Sequence, residues 1–122
     1  MNKIRKKLML QFLLLGVLIS LGGGSIIQMK DFEKRLDPIS LNSETERKII
    51  FYRDDCSDCQ SIFPLLYYHN QFKKDLVFVN MNQPLNRRYI HEYNLKSVPT
   101  IIHKEDRYEG TNRKRIQAIL KE

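Results

Sequence analysis

"RDDCSDCQSIFP", Arg53 to Pro64, contains the only two cysteines of the chain, separated by two residues. It follows "KIIFY", Lys48 to Tyr52, a run of β-branched and aromatic residues that fits a buried strand. Beyond the cysteines, Ile62, Phe63, Leu66 and Tyr67 recur at helical spacing, which predicts a helix running to about Phe72. Ser57 and Asp58 suit its first turn, and Pro64 is expected to kink it. The cysteine pair therefore sits where a strand gives way to a helix. Cys56 falls at or just before the first turn and Cys59 one turn later.

The elements that follow extend this unit. "DLVFVNMN", Asp75 to Asn82, reads as the next strand. "PLNRRYIHEYNL" places Leu85, Tyr89, Ile90 and Tyr93 on one face of a short helix. "VPTIIHK" is a strand opening at a proline, "EDR" a turn and "YEG" a short strand. "NRKRIQAILKE" closes the chain as a helix with Ile116, Ile119 and Leu120 facing in. Strand, helix and strand in succession require a parallel pair with a right-handed crossover. The last two strands are joined too tightly to be anything but antiparallel. The expected class is α/β, a mixed sheet of about four strands flanked by helices.

Ahead of this domain lies "LMLQFLLLGVLISLGGGSII", Leu8 to Ile27, which carries no charge. As a helix it would span about 30 Å, the thickness of a bilayer core. A cleaved signal peptide also has a basic start, and Leu8 to Leu21 is short enough for one, with small residues after it. Yet no alanine supplies the usual cleavage pattern, so an uncleaved transmembrane anchor is the preferred reading. Gly22 to Gly24 are expected to weaken the end of this helix. Lys3, Arg5, Lys6 and Lys7 precede the segment, and this basic excess favours a cytoplasmic N-terminus with the rest outside. The expected organisation is a basic cytoplasmic tail at 1–7, an anchor or uncleaved signal at 8–27, a stalk at 28–47 and a folded domain at 48–122. Within the stalk, "MKDFEKRL" suits a short helix ended by Asp37-Pro38, followed by at most a short strand at Ile39 to Leu41.

The formal charge of +7 is partly the tail's. From Gln28 onward the count is 17 basic against 14 acidic residues, a charge of +3. "NRKR", Asn112 to Arg115, has no interleaved aromatics and reads as the solvated start of a helix. No nucleic-acid partner is expected.

A helix N-terminus presents free N–H groups and a positive dipole end, and both stabilise a thiolate. The thiolate is the nucleophile of disulfide exchange, so Cys56 is the expected attacking sulfur and the less exposed Cys59 the resolving one. Two other uses of the pair compete. A zinc site needs about four ligands; His69, His91 and His103 are scattered and read as surface or edge residues, so no metal or other cofactor is expected. A structural disulfide between Cys56 and Cys59 would close a loop too short to remove much chain entropy.

These residues resemble the thioredoxin family. "FYRDDCSDCQ" is similar to that family's strand, turn and Cys-x-x-Cys. Pro64 follows Cys56 at the distance of its helix proline, and "SVPT", Ser97 to Thr100, is similar to its cis-proline loop. The resemblance covers Lys48 to about Lys121 and implies a trimmed thioredoxin-like fold. It implies that Pro99 shapes the site and that Val98 offers main-chain N–H and C=O to an extended substrate. Tyr52, Asp55, Ser57, Asp58 and Pro64 would shape the surroundings. The chain departs from the family at Asp55, where a tryptophan is usual, and at Ile50, where a buried acid is usual. Asp54, Asp55 and Asp58 crowd the motif instead, with Arg53 beside them.

"YRDDC…DC" and "NMNQP" are further similar to small anchored members that accompany bacteriocin production or export. The function implied is a membrane-anchored, extracytoplasmic thiol–disulfide oxidoreductase. Its partners would be secreted peptides or proteins with thiols or disulfides, together with a membrane redox partner or exporter. The alternative is a non-catalytic accessory protein of the same fold, binding an exported peptide through its groove.

Overall fold

The computed structural model describes residues 2–42 and 46–122. The chain divides into two units, Met1–Phe32 and Glu33–Glu122. The first is one helix, α1, which spans Asn2–Glu33. Its length and composition are sufficient to cross a membrane. Apolar side chains such as Phe12, Leu18 and Leu21 stand exposed along it. Gly22 to Gly24 do not interrupt it. The separate short helix expected over "MKDFEKRL" is instead the continuation of α1, which ends at Glu33, before the Asp37-Pro38 stop.

The second unit is built on β1 (Lys48–Tyr52), followed by α2 (Ser57–Lys73) and β2 (Leu76–Asn80). Every residue of β1 and β2 is buried, as expected of strands covered on both faces. β1 pairs in parallel with β2, Ile50 opposite Phe78, so α2 is the crossover. A short 3-10 helix (Pro84–Arg88) leads into α3 (Tyr89–Glu92). β3 (Thr100–His103) pairs antiparallel with β1, and β4 (Asp106–Glu109) pairs antiparallel with β3. The sheet order is β2-β1-β3-β4, and α4 (Arg113–Lys121) completes the unit.

Successive β1 side chains go to opposite faces. Ile49 and Phe51 join Val77, Val79, Met81, Tyr89 and Ile102 in one core. Tyr52 turns the other way, its ring 5.1 Å from that of Phe63 on α2 and 6.2 Å from that of Phe78. Arg113 bonds the Ser61 carbonyl, which ties the start of α4 to α2. At the far end of α2, His69 and Lys48 both grip Asp75, at 2.8 and 3.0 Å. Burial works against the Asp75 carboxylate, but these bonds prevail and hold its pKa below the ordinary value.

Two expectations about side chains fail here. His69 and His103 are not surface residues: the first is half-buried on Asp75 and the second is buried beside Glu122. Leu85 and Ile90 do not face the core, being 66% and 45% exposed. Tyr89 and Tyr93, from the same expected face, do pack on the core, and because the segment starts as a 3-10 helix the other inward position passes to Asn86.

Asn86 and Tyr89 organise the polar segment before β1. No strand forms at Ile39 to Leu41. The chain there is held by side chains rather than by a ladder. Asn86 accepts from the Ile39 N–H and donates to the carbonyls of Asp37 and Asn80. The Tyr89 hydroxyl accepts from the Leu41 N–H and donates to the Ile39 carbonyl. Asn80 donates to the Arg35 carbonyl and Tyr52 to that of Glu33. Residues 33–41 therefore form a strap over the β2 side of the sheet. An Asn86→Ala substitution is expected to lower stability by about 2–3 kcal/mol, since it strands the bonded main-chain groups. Urea unfolding of the full chain in detergent micelles measures this. Hydrogen exchange at the Ile39 amide should accelerate in the same variant, and unchanged protection there would count against the strap.

Candidate functional site

β1 ends at Tyr52, and the chain turns through Arg53 to Asp55 into α2. Cys56 is the N-cap of that helix, in an extended conformation. Its sulfur does what a serine or aspartate oxygen commonly does, accepting the Cys59 N–H at 3.3 Å. Negative charge on the Cys56 sulfur is thus met by a main-chain donor and by the positive end of a 17-residue helix. Both cysteines are free thiols. Cys56 is half-buried, whereas Cys59 is 1% exposed. Burial, then the hydrogen bond with Cys56, pushes the Cys59 pKa up to about 12.

The Val98–Pro99 peptide bond is cis. This loop lies over the cysteine pair, with the Val98 carbonyl 3.9 Å from the Cys56 sulfur. Pro99 is buried and Val98 half-buried, immediately ahead of β3. The cysteine pair and the Val98–Pro99 pair, with Cys56 and Val98 42 positions apart in the chain, are therefore brought together.

The residues expected to shape the surroundings divide. Ser57 and Asp58 occupy the first turn of α2 and are exposed. Pro64 lies inside α2, two turns from Cys56. Tyr52 is buried beneath, its hydroxyl donating to the Glu33 carbonyl rather than towards sulfur. Burial, and next the charge of Asp54, raises its pKa. Ile50, where the related proteins carry an acid, is fully buried and apolar.

The acids beside the motif are fixed rather than loosely solvated. Asp54 accepts from Asn80 and Asn82 at 2.9 and 2.8 Å. Burial raises its pKa, the two amides lower it, and the net shift is downward. Asp55 is bonded by Asn82 and by the Arg53 guanidinium at 2.9 Å, and these lower its pKa. Asn80 and Asn82 are site residues that the sequence reading missed. Their spacing of two at a strand end was the available signal, since alternate residues point the same way. Among the described residues, no group of three or more His, Cys, Asp or Glu side chains is disposed to hold a metal ion.

A dithiol at the start of the crossover helix, under a cis-proline loop, on a mixed sheet of this order defines a thioredoxin-fold protein. The chain belongs to the thioredoxin family, whose family model matches residues 26–122. It is similar to the solved structure of Chlamydomonas reinhardtii thioredoxin f2, with a TM-score of 0.53 and 24% identity, over 66% of this chain and 82% of that one. At that identity the likeness speaks for the fold. No curated protein matches the chain significantly.

The exposure difference and the raised pKa of Cys59 yield a pH test. At neutral pH iodoacetamide should modify Cys56 well before Cys59. In a Cys56→Ser variant, which keeps the burial but loses the Cys56 hydrogen bond and charge, modification of Cys59 should still be rising past pH 9, the ordinary thiol value, because burial alone holds its pKa above that. Peptide mapping by mass spectrometry gives both rates. A Cys59 rate that levels off near pH 9 would contradict the burial argument.

Proposed function

We propose that this chain is a membrane-tethered thiol–disulfide oxidoreductase acting outside the cytoplasm on exported peptides or proteins, bacteriocin-type peptides among them. One observation carries the reading: a half-buried N-cap sulfur 3.9 Å from the carbonyl of Val98, a residue that belongs to no strand. An extended substrate laid along Val98 brings its disulfide to the Cys56 sulfur. The Cys56 thiolate attacks one substrate sulfur, and the other leaves as a thiolate that takes up a proton. Cys59 then loses its proton and attacks the Cys56 sulfur. The second substrate thiol departs and the Cys56–Cys59 disulfide forms. Two electrons have passed from protein to substrate, and the reverse sequence oxidises a substrate dithiol.

The second step starts from a handicap, because Cys59 is held protonated. Forming the mixed disulfide removes the Cys56 hydrogen bond and charge, two of the causes of that shift, while burial remains. Ile50 offers no proton acceptor. This favours slow resolution, and it is also the observation behind a second reading, in which the groove binds an exported peptide and the dithiol is idle.

The full chain in detergent micelles separates these readings. Cys56→Ser is expected to abolish exchange with a peptide disulfide, and Cys59→Ser to accumulate the mixed disulfide. Wild-type protein without measurable exchange would leave only the binding role. The reduction potential sets the direction: about −120 to −180 mV marks a donor or shuffler of disulfides, about −270 mV or lower a reductant.

The tether has its own test. α1 should hold the chain in membranes through carbonate extraction. A membrane-impermeant maleimide should label Cys56 in intact cells. Labelling only after lysis would reverse the orientation argued from Lys3, Arg5, Lys6 and Lys7.

A further inference from the structure

Alongside the Val98 loop runs a groove of about 550 Å³. Met81, Ile90, Leu95 and Val98 give it an apolar wall, and Arg87 and Lys96 supply charge. No carboxylate lines it among the described residues. Arg53, also on its edge, is neutralised by Asp55. The other two cations are not. Arg87 bonds the Met81 carbonyl through its Nε at 3.5 Å, and neither Arg87 nor Lys96 pairs with an acid among the described residues. Both are exposed. The motif itself carries the opposite sign, with Asp54, Asp55 and Asp58 around the cysteines. A peptide entering along Val98 therefore meets a cationic, apolar flank on one side and acids at the motif.

We propose that this groove selects substrates in which the cysteine is flanked by an acidic residue together with an apolar one. The inference rests on the exchange reading above and names its substrate class. The apolar side chain covers the exposed Ile90 and the Leu95–Val98 wall, and the carboxylate answers Arg87 and Lys96. A basic residue in the same place meets two cations that have no acidic partner among the described residues and is repelled. An extended strand is the occupant that fits, because Val98 is in no strand pairing and its main chain borders both the groove and the Cys56 sulfur.

Binding and chemistry are measured separately. The probes are two fluorescent ten-residue peptides with serine in place of cysteine, identical except for glutamate or lysine beside it. With the full chain in neutral detergent micelles, anisotropy should show the glutamate peptide binding about tenfold more tightly at low salt, the gap narrowing as salt rises. The double variant R87Q/K96Q should bring the two peptides to equal affinity, and R87E/K96E should invert the preference. Circular dichroism checks that the variants fold. Equal affinities in the wild type, binding of neither peptide, or a preference that survives both double variants would overturn the proposal. The cysteine-disulfide forms of the same peptides test the chemistry. Equal exchange rates for both leave the oxidoreductase reading standing and remove the selectivity. Selective binding without exchange keeps the groove and removes the enzyme.

Discussion

The site depends on the position of β1 in the middle of the sheet. Bonded to β2 on one side and β3 on the other, the strand is buried along its whole length and must end abruptly where the core ends. The chain then has to re-enter the domain as the crossover helix that a parallel β1–β2 pair demands. The three-residue turn and the helix N-cap follow from that requirement. So does the location of Cys56 beyond the C-terminal end of β1, with its sulfur satisfying a main-chain N–H. The antiparallel β3, paired with the same strand so that Thr100 stands opposite Phe51, brings the Val98–Pro99 loop to the same end of the sheet. One central strand thus aligns a dithiol and a cis-proline loop, Cys56 and Val98 being 42 residues apart.

The other organising feature is a set of buried amides. Asn80 and Asn86 each satisfy several main-chain or carboxylate groups of neighbouring segments. Asn80 links the strap at Arg35 to Asp54 in the turn before the cysteines, and Asn86 links the same strap to β2. Buried polar groups are tolerated when each finds its partners, and they then specify one arrangement of the chain. The trimmed N-terminal side of the domain is therefore covered by side-chain bonding to an extended segment instead of by a further ladder.

The electrostatics of the site divide by depth. Cys59 and Tyr52 lie beneath, where burial raises both pKa values. Asp54 and Asp55 lie at the rim, where amides and Arg53 keep them ionised. Protonated groups below and fixed charges above leave Cys56 as the sulfur that meets solvent. The cationic groove beyond it is assembled from the 3-10 helix, α3 and the Val98 loop, none of which belongs to the motif.

Much of this was legible in the sequence because it depends on local periodicity and covalent neighbourhood. Runs of β-branched and aromatic residues at Lys48–Tyr52 and within Asp75–Asn82 marked the strands, the second of which spans Leu76–Asn80. The spacing of Ile62, Phe63, Leu66 and Tyr67 fixed α2, and adjacency to both placed Cys56 at the helix start. An uncharged run of helix-forming length marked α1. The inward face of the Pro84–Glu92 segment was legible at Tyr89 but not at Asn86, because a 3-10 turn shifts the phase and only the surrounding core selects Asn86 over Leu85 and Ile90. Nor was the role of residues 33–41, whose main chain is satisfied by side chains about fifty positions away. The pairing of Asp54 with Asn80 and Asn82, the approach of Val98 to Cys56 and the groove charge of Arg87 and Lys96 share that cause. Each is a distance between segments far apart in the chain, and such distances exist only once the sheet has brought those segments together.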